Sequence, residues 1–262
     1  MSAPLQRQFI DGPDGQIHLR SGGSGERTFY AIHQSPASSR IFEPLLKELS
    51  RDRRVVAADT PGYGESDPPR TPPSIPDYAR AHGSVLDALG FESVDIMGYF
   101  TGSRIAVELA LQRPGQVRRL ILLGAAVYTA AELSQERNTY AEHEPDWEMS
   151  HLKKWWDHLK RHRNPAYPLD SFLRDFAEIQ RLGRVSPWGH MAAHAYSLAE
   201  ALPKVRQPVA ILCTDDPIGE VSMRASAHLT NGCTIRLPYP SQGILELHTK
   251  AIAEQARGWF DR

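Results

Sequence analysis

The stretch VDIMGYFTGSRIAVELA, residues 94–110, constrains this chain more than any other. It begins apolar and strand-forming, ends with apolar side chains at helical spacing, and places Gly98 and Gly102 around the switch between the two. Strand, tight turn and helix in that order begin a crossover, so the stretch predicts a parallel sheet. The apex of the turn is Phe100. A phenyl ring cannot attack a carbonyl or form an acyl intermediate.

The rest of the chain reads around that unit. Strand signals at 9–11 and 16–19 flank a DGPDG turn and predict an opening hairpin, and SGGSGE after it reads as a loop. A strand over 28–32, a helix over 39–49 and a strand over 54–58 follow. Five prolines between Pro68 and Pro76 make that segment a loop, and Ser74 with Asp77 predicts a capping box for a helix ending before Gly90. The apex strand spans 93–97, and another buried strand is expected over 117–123.

From residue 126 to 202 the strand signal disappears and three helical patterns replace it. The first, over 147–162, carries Leu152, Trp155, Trp156 and Leu159 on one face. The second, after Asp170, carries Phe172, Leu173, Phe176, Ile179 and Leu182 and stops at Gly183. The third starts at Ser186 with Pro187 in its first turn and runs through His190 and His194. Strands resume at 209–213 and 234–237, and a helix over 247–260 ends the pattern.

At 262 residues the chain suits one large α/β domain or a core with a smaller inserted cap. Thirty basic against thirty-one acidic residues leave a formal charge of −1, which provides no field for nucleic acid or an anionic membrane. A small neutral or weakly charged ligand fits better, and a homodimer stays open. Cys213 and Cys233 fall in predicted strands and read as reduced thiols. The opening MSAPLQRQF does not look like a signal peptide, and the longest apolar run is too short to span a bilayer, so the expectation is a cytoplasmic protein.

Three stretches carry a family resemblance. GYFTG, residues 98–102, resembles the nucleophile elbow of the α/β-hydrolase family, HQSP after the third strand is similar to its oxyanion loop, and DTPGYGESD looks like its DxPGxGxS turn. The capped layout resembles that of haloalkane dehalogenases and epoxide hydrolases. The resemblance implies an α/β-hydrolase fold with a mostly parallel eight-stranded sheet, core residues 1–125 and 203–262, and a helical cap over 126–202. It places the nucleophile at Phe100, the acid at Asp215 or Asp216, with Asp216 before Pro217 matching better, and the catalytic histidine position at Gln242. His248, at the start of the last helix, is the rival imidazole. The oxyanion donors would be the backbone amides of Thr101 and of Gln34 or Ser35. Such a hole alone can retain roughly 10³-fold catalysis over water, enough for enolisation, elimination, decarboxylation or cyclisation.

Each feature has a plainer reading beside it. Phe100 is a pocket floor, a plug in a disused site, or an engineered replacement, and the departure at Gln242 makes the last less attractive. Asp-Asp-Pro is ordinary turn chemistry. Ser103 reads as a helix cap. Tyr99 either donates to an oxyanion or packs in the core. His33, Tyr99, Asp215, Trp155, Trp188 and His190 are expected to line the pocket with Phe100. Four tryptophans, Trp147, Trp155, Trp156 and Trp188, fall in the cap and fit a lid or simple packing. His190 and His194 are spaced i, i+4 without a third ligand, so no metal is expected, and no phosphate or dinucleotide loop suggests a cofactor.

The expected activity is therefore that of a hydrolase-like enzyme without a nucleophile, acting on a small apolar carbonyl-containing or aromatic metabolite. A catalytically inactive ligand-binding protein and a conventional hydrolase with a non-standard nucleophile are the alternatives.

Overall fold

A computed structural model describes residues 4–141, 145–161 and 163–262. Its strands are β1 (Gln6–Gly12), β2 (Gly15–Gly22), β3 (Thr28–Ile32), β4 (Arg54–Ala58), β5 (Val94–Tyr99), β6 (Val117–Leu123), β7 (Val209–Cys213) and β8 (Gly232–Arg236). They form one sheet in the order β1-β2-β4-β3-β5-β6-β7-β8. β1–β2 and β2–β4 pair antiparallel, and every later pair is parallel. This is the α/β-hydrolase fold expected from the motifs.

Strands β3, β5 and β7 are buried along their whole lengths. That is why they read as continuous apolar runs: a parallel sheet with helices on both faces leaves neither face wet. On β5, Val94 and Ile96 join the core on one face, while Met97 and Tyr99 join the core on the other. Asp95 is buried between them and pairs with Arg118.

The helices between these strands are α1 (Glu43–Leu49), α2 (Ile75–Ala88) and α3 (Thr101–Gln112). At the start of α2, Ser74 and Asp77 form the expected reciprocal capping box. Between β6 and β7 the chain is helical: α4 (Ala130–Ala141), α5 (Ser150–Arg161), α6 (Leu169–Arg181), α7 (Trp188–Ala195) and α8 (Leu198–Ala201). Then come α9 (Pro217–Met223), α10 (Ile244–Leu247) and α11 (Thr249–Phe260).

Three expectations need correction. The insertion holds more than three helices, because α4, AAELSQERNTYA, has no apolar stripe to betray it. The helix expected over 147–162 begins at Ser150, and its last expected residue, His162, lies outside the described residues. Trp147 is 99% exposed and covers nothing. Both cysteines are free, Cys213 buried and Cys233 half-buried. Among the described residues no helix is long and apolar enough to cross a membrane.

Candidate active site

The loops that follow β3, β5, β6, β7 and β8 meet at one end of the sheet. Register explains why: Ile32 lies beside Gly98, and Tyr99 beside Leu123, so the strands finish together. In open α/β sheets ligands bind outside these carboxyl ends.

The turn at Phe100 is a fully formed elbow. Phe100 has φ 47° and ψ −103°, in the positive region that costs a residue with a β-carbon on the order of 1–3 kcal/mol. Its glycine brackets are steric requirements. A β-carbon at residue 98 would come 2.3 Å from the Gly102 carbonyl oxygen, and one at residue 102 would come 2.1 Å from that of Ile32. The Phe100 amide donates to the Leu123 carbonyl at 2.9 Å. Ser103, expected as a helix cap, instead turns back: its hydroxyl donates to the Gly98 carbonyl at 2.9 Å and ties α3 to β5. A serine in the first turn of a helix meets the preceding strand here because Gly98 and Gly102 let the two backbones close up.

The Phe100 ring lies 4.5 Å from that of Tyr99 and rests on Gly124. Tyr99 is 4% exposed, and its hydroxyl donates to the Ser241 carbonyl at 2.7 Å, so it belongs to the core and not to the pocket lining. Thr101 supplies the first amide of α3, which has no acceptor inside the helix and carries the positive end of its dipole.

Across from it runs the loop after β3. His33 was expected in the pocket but is buried, with both ring nitrogens occupied. The Thr60 amide can only donate, so Nε2 accepts from it at 2.8 Å, and Nδ1 therefore carries the proton and donates to the Gln34 carbonyl at 2.8 Å. Burial, working against the Asp59 charge, lowers the His33 pKa. His33 is thus a neutral brace between two loops. Gln34 keeps its side-chain oxygen buried with no partner among the described residues. Ser35 packs so closely on the insertion that a β-carbon at Gly189 would lie 2.0 Å from its hydroxyl. The Gly189 amide donates to the Tyr63 hydroxyl at 2.6 Å, which fastens α7 to the core.

At the expected acid and base positions both side chains are engaged in hydrogen bonds. Asp216 caps α9: Oδ1 accepts from Thr214 Oγ1 at 2.8 Å and Gly219 N at 3.0 Å, and Oδ2 accepts from Ser241 N at 2.6 Å. Asp215, expected in the pocket, is exposed, because its amide pairs with the Tyr239 carbonyl and turns the side chain outward. Gln242 Oε1 accepts from the Asn164 amide at 2.5 Å, and Asn164 Nδ2 donates back to the Gln242 carbonyl at 3.2 Å. His248 stacks on Tyr239 with ring centroids 3.7 Å apart.

The insertion contributes residues that the motifs did not point to. Tyr167 lies against Gly243, and its hydroxyl donates to Asp175 Oδ2 at 2.8 Å. Burial raises the Asp175 pKa to about 6, aided by the nearby Glu178 and Glu246 charges and opposed by the Tyr167 hydrogen bond. Trp155 is buried, while Trp188 and His190 are half-buried. The His190 and His194 rings lie 6.3 Å apart, and burial followed by the His194 charge lowers the His190 pKa to about 3. Among the described residues no three metal-ligating side chains gather. The sequence held one signal for a further group, a lone arginine, Arg104, in the otherwise uncharged first turns of α3.

Comparison with known proteins agrees with this fold. A family model described as the alpha/beta hydrolase fold matches residues 27–152. The 2-hydroxy-6-oxononadienedioate/2-hydroxy-6-oxononatrienedioate hydrolase 1 of Dechloromonas aromatica is 39% identical over 119 residues, 42% of this chain and 40% of that protein. The 2-hydroxy-6-oxo-2,4-heptadienoate hydrolase of Pseudomonas putida is 29% identical over 181 residues, 69% of this chain and 61% of that protein. The match thus spans about two fifths of the length of the first of these relatives. An esterase from Exiguobacterium antarcticum superposes with a TM-score of 0.83 at 19% identity, covering 97% of this chain and 98% of that one. The enol-lactonase from Burkholderia xenovorans LB400 gives 0.78 at 16% identity, covering 97% and 100%. At such identities the likeness shows the fold.

Proposed function

The chain has the α/β-hydrolase fold, and from that premise we propose that it is an enzyme that works on a small carbonyl-containing metabolite without forming a covalent intermediate. The observation that carries this reading is the backbone of Phe100 at φ 47°. A strained elbow held by Gly98, Gly102 and Ser103 aims the Thr101 amide at one point, whatever side chain stands at the apex.

In this reading the substrate's carbonyl oxygen accepts from Thr101 N–H and from Gln34 or Ser35 N–H, and those donors stabilise the charge that develops on it. Phe100 forms the floor beneath the reacting carbon. Asp216 and Gln242 act by position: one fixes the loop after β7 to Ser241, and the other fixes Asn164 of the insertion. The chemistry is of lyase, cyclase, decarboxylase or isomerase type. Keto–enol isomerisation makes the least demand, because water takes the enol hydroxyl proton and returns one to carbon, and the intervening oxyanion is what the amide donors stabilise. The relatives named as hydrolases of 2-hydroxy-6-oxo compounds direct attention to enols of this kind.

The test is to incubate the protein with 2-hydroxy-6-oxo dienoates in deuterated water and follow them by NMR. The expected result is deuterium entering at carbon with the carbon chain intact. Cleavage through a protein-bound acyl group would refute the reading.

A second reading is favoured by the packing of the Phe100 ring over Gly124, which also suits a protein that binds its ligand and leaves it unchanged. In that case no deuterium enters although the ligand binds.

A further inference from the structure

Arg104 projects from the second turn after the apex and is 6% exposed. Its one hydrogen bond among the described residues runs from Nη2 to the Ala126 carbonyl at 2.9 Å, and Nε is buried without an acceptor. Ala126 lies two residues beyond Gly124, against which the Phe100 ring rests, so the guanidinium belongs to the same end of the sheet as the elbow.

Taking a guanidinium out of water is strongly unfavourable unless a counter-charge meets it. The chain's other deeply buried arginines follow that rule. Arg20 pairs with Glu43 at 3.0 Å, and Arg53 pairs with Asp52 at 2.6 Å and Asp261 at 3.1 Å. Arg104 forms no ion pair among the described residues. Glu108, one turn further along the same helix, is taken by the Tyr196 hydroxyl at 2.9 Å and by Gln112 at 2.9 Å. Among the described residues, Tyr128, Tyr196 and His190 exchange charge effects with Arg104. All three are neutral at pH 7: burial raises both tyrosines and lowers the histidine. A single bond to a carbonyl needs no positive charge, and a neutral amide would make it.

We propose that Arg104 is a carboxylate-binding residue of the site, and that the metabolite is an apolar acid whose carboxylate completes this buried charge. The proposal rests on the reading of the elbow end as a substrate site. It adds the substrate's charge and the direction in which the substrate lies, with the carbonyl at Thr101 and the carboxylate toward Ala126. Burial makes the pairing selective, because an uncharged analogue leaves the guanidinium unpaired.

Benzoate and benzamide, matched in shape and differing in charge, are suitable probes, with binding read by calorimetry on the full chain. Benzoate is expected to bind about tenfold or more tighter than benzamide. Arg104→Gln is expected to abolish that preference, and Arg104→Lys to retain part of it. If Arg104→Gln does not fold, the NMR resonance of Arg104 Nε–H in the unaltered protein decides: it shifts with benzoate and not with benzamide. Equal binding of the two probes, binding of neither, or an unchanged preference in Arg104→Gln overturns the proposal. None of these readouts depends on turnover, so a protein that selects the acid without converting it would sink the catalytic reading alone.

Discussion

The Phe100 ring and Gly124 share one space: a β-carbon at residue 124 would come 2.3 Å from Cδ1 of the ring. Gly124 also has φ 73°, a region that disfavours side chains. Gly124→Ala is therefore expected to lower stability by about 2 kcal/mol, from the backbone and the overlap together. The same change made in Phe100→Ala should cost less, by about 1 kcal/mol, because the overlap is gone. Urea unfolding of the four proteins measures that coupling, and additive effects would mean the ring does not rest on Gly124.

Gln242 holds Asn164 from the other side of the site. Gln242→Ala leaves the buried Asn164 amide without its acceptor, a loss of about 1–3 kcal/mol felt at the junction. Hydrogen exchange should rise at Asn164, Ala166 and Tyr167 and stay unchanged in β5. Gln242→Glu keeps an acceptor and should protect Asn164 nearly as well. Faster exchange spread evenly over the sheet would argue against a local tie.

Asp175 sets a pH dependence. Its carboxyl titrates at about 6 in the fold against 3.8 normally, chiefly because burial disfavours the charged form. The fold therefore holds the proton more tightly than the unfolded chain does. Relative stability from this group is fully present below pH 3.8 and is lost as the pH rises through about 6. Asp175→Asn removes that loss while leaving an acceptor for Tyr167. The variant should match the parent near pH 4 and exceed it at pH 7 by on the order of 1–2 kcal/mol. Asp95, also raised to about 6 by burial, keeps part of the slope in both proteins. Thermal melts at the two pH values check this, and a variant weaker at pH 7 contradicts it.

Restoring a hydroxyl alone should not restore covalent chemistry. Phe100→Ser places a nucleophile on a ready elbow, yet residue 242 offers no imidazole and His248 is stacked on Tyr239. Labelling by a fluorophosphonate probe should remain slow in Phe100→Ser and rise about 10²-fold when Gln242→His is added. Equal rates in the single and double variants would show that a base is already present.

Much of this was legible from residue patterns, and the exceptions have physical causes. Strands β3, β4, β6 and β7 fall where their sequence patterns place them, because burial along most of their length makes them read as largely apolar runs. The elbow was legible because two glycines mark a place where backbones touch. Helix α4 was not, for want of an apolar face. The partners of the site residues were hidden for another reason. Gln242 meets Asn164 across 78 residues of chain, and no local pattern encodes a pairing that only the folded insertion creates. Asp216 and His33 have the residue types of catalysis, and only the folded chain shows which groups their hydrogen bonds hold.

The central claim is that the chain converts a small metabolite without attaching it. The most direct measurement is to incubate the purified protein with cell extract and follow free metabolites and intact protein mass together by mass spectrometry. The account predicts that one metabolite declines as a new mass grows in proportion to protein, while the protein's own mass never changes. An adduct on the protein during turnover, or a ligand recovered unaltered with no product, would contradict it.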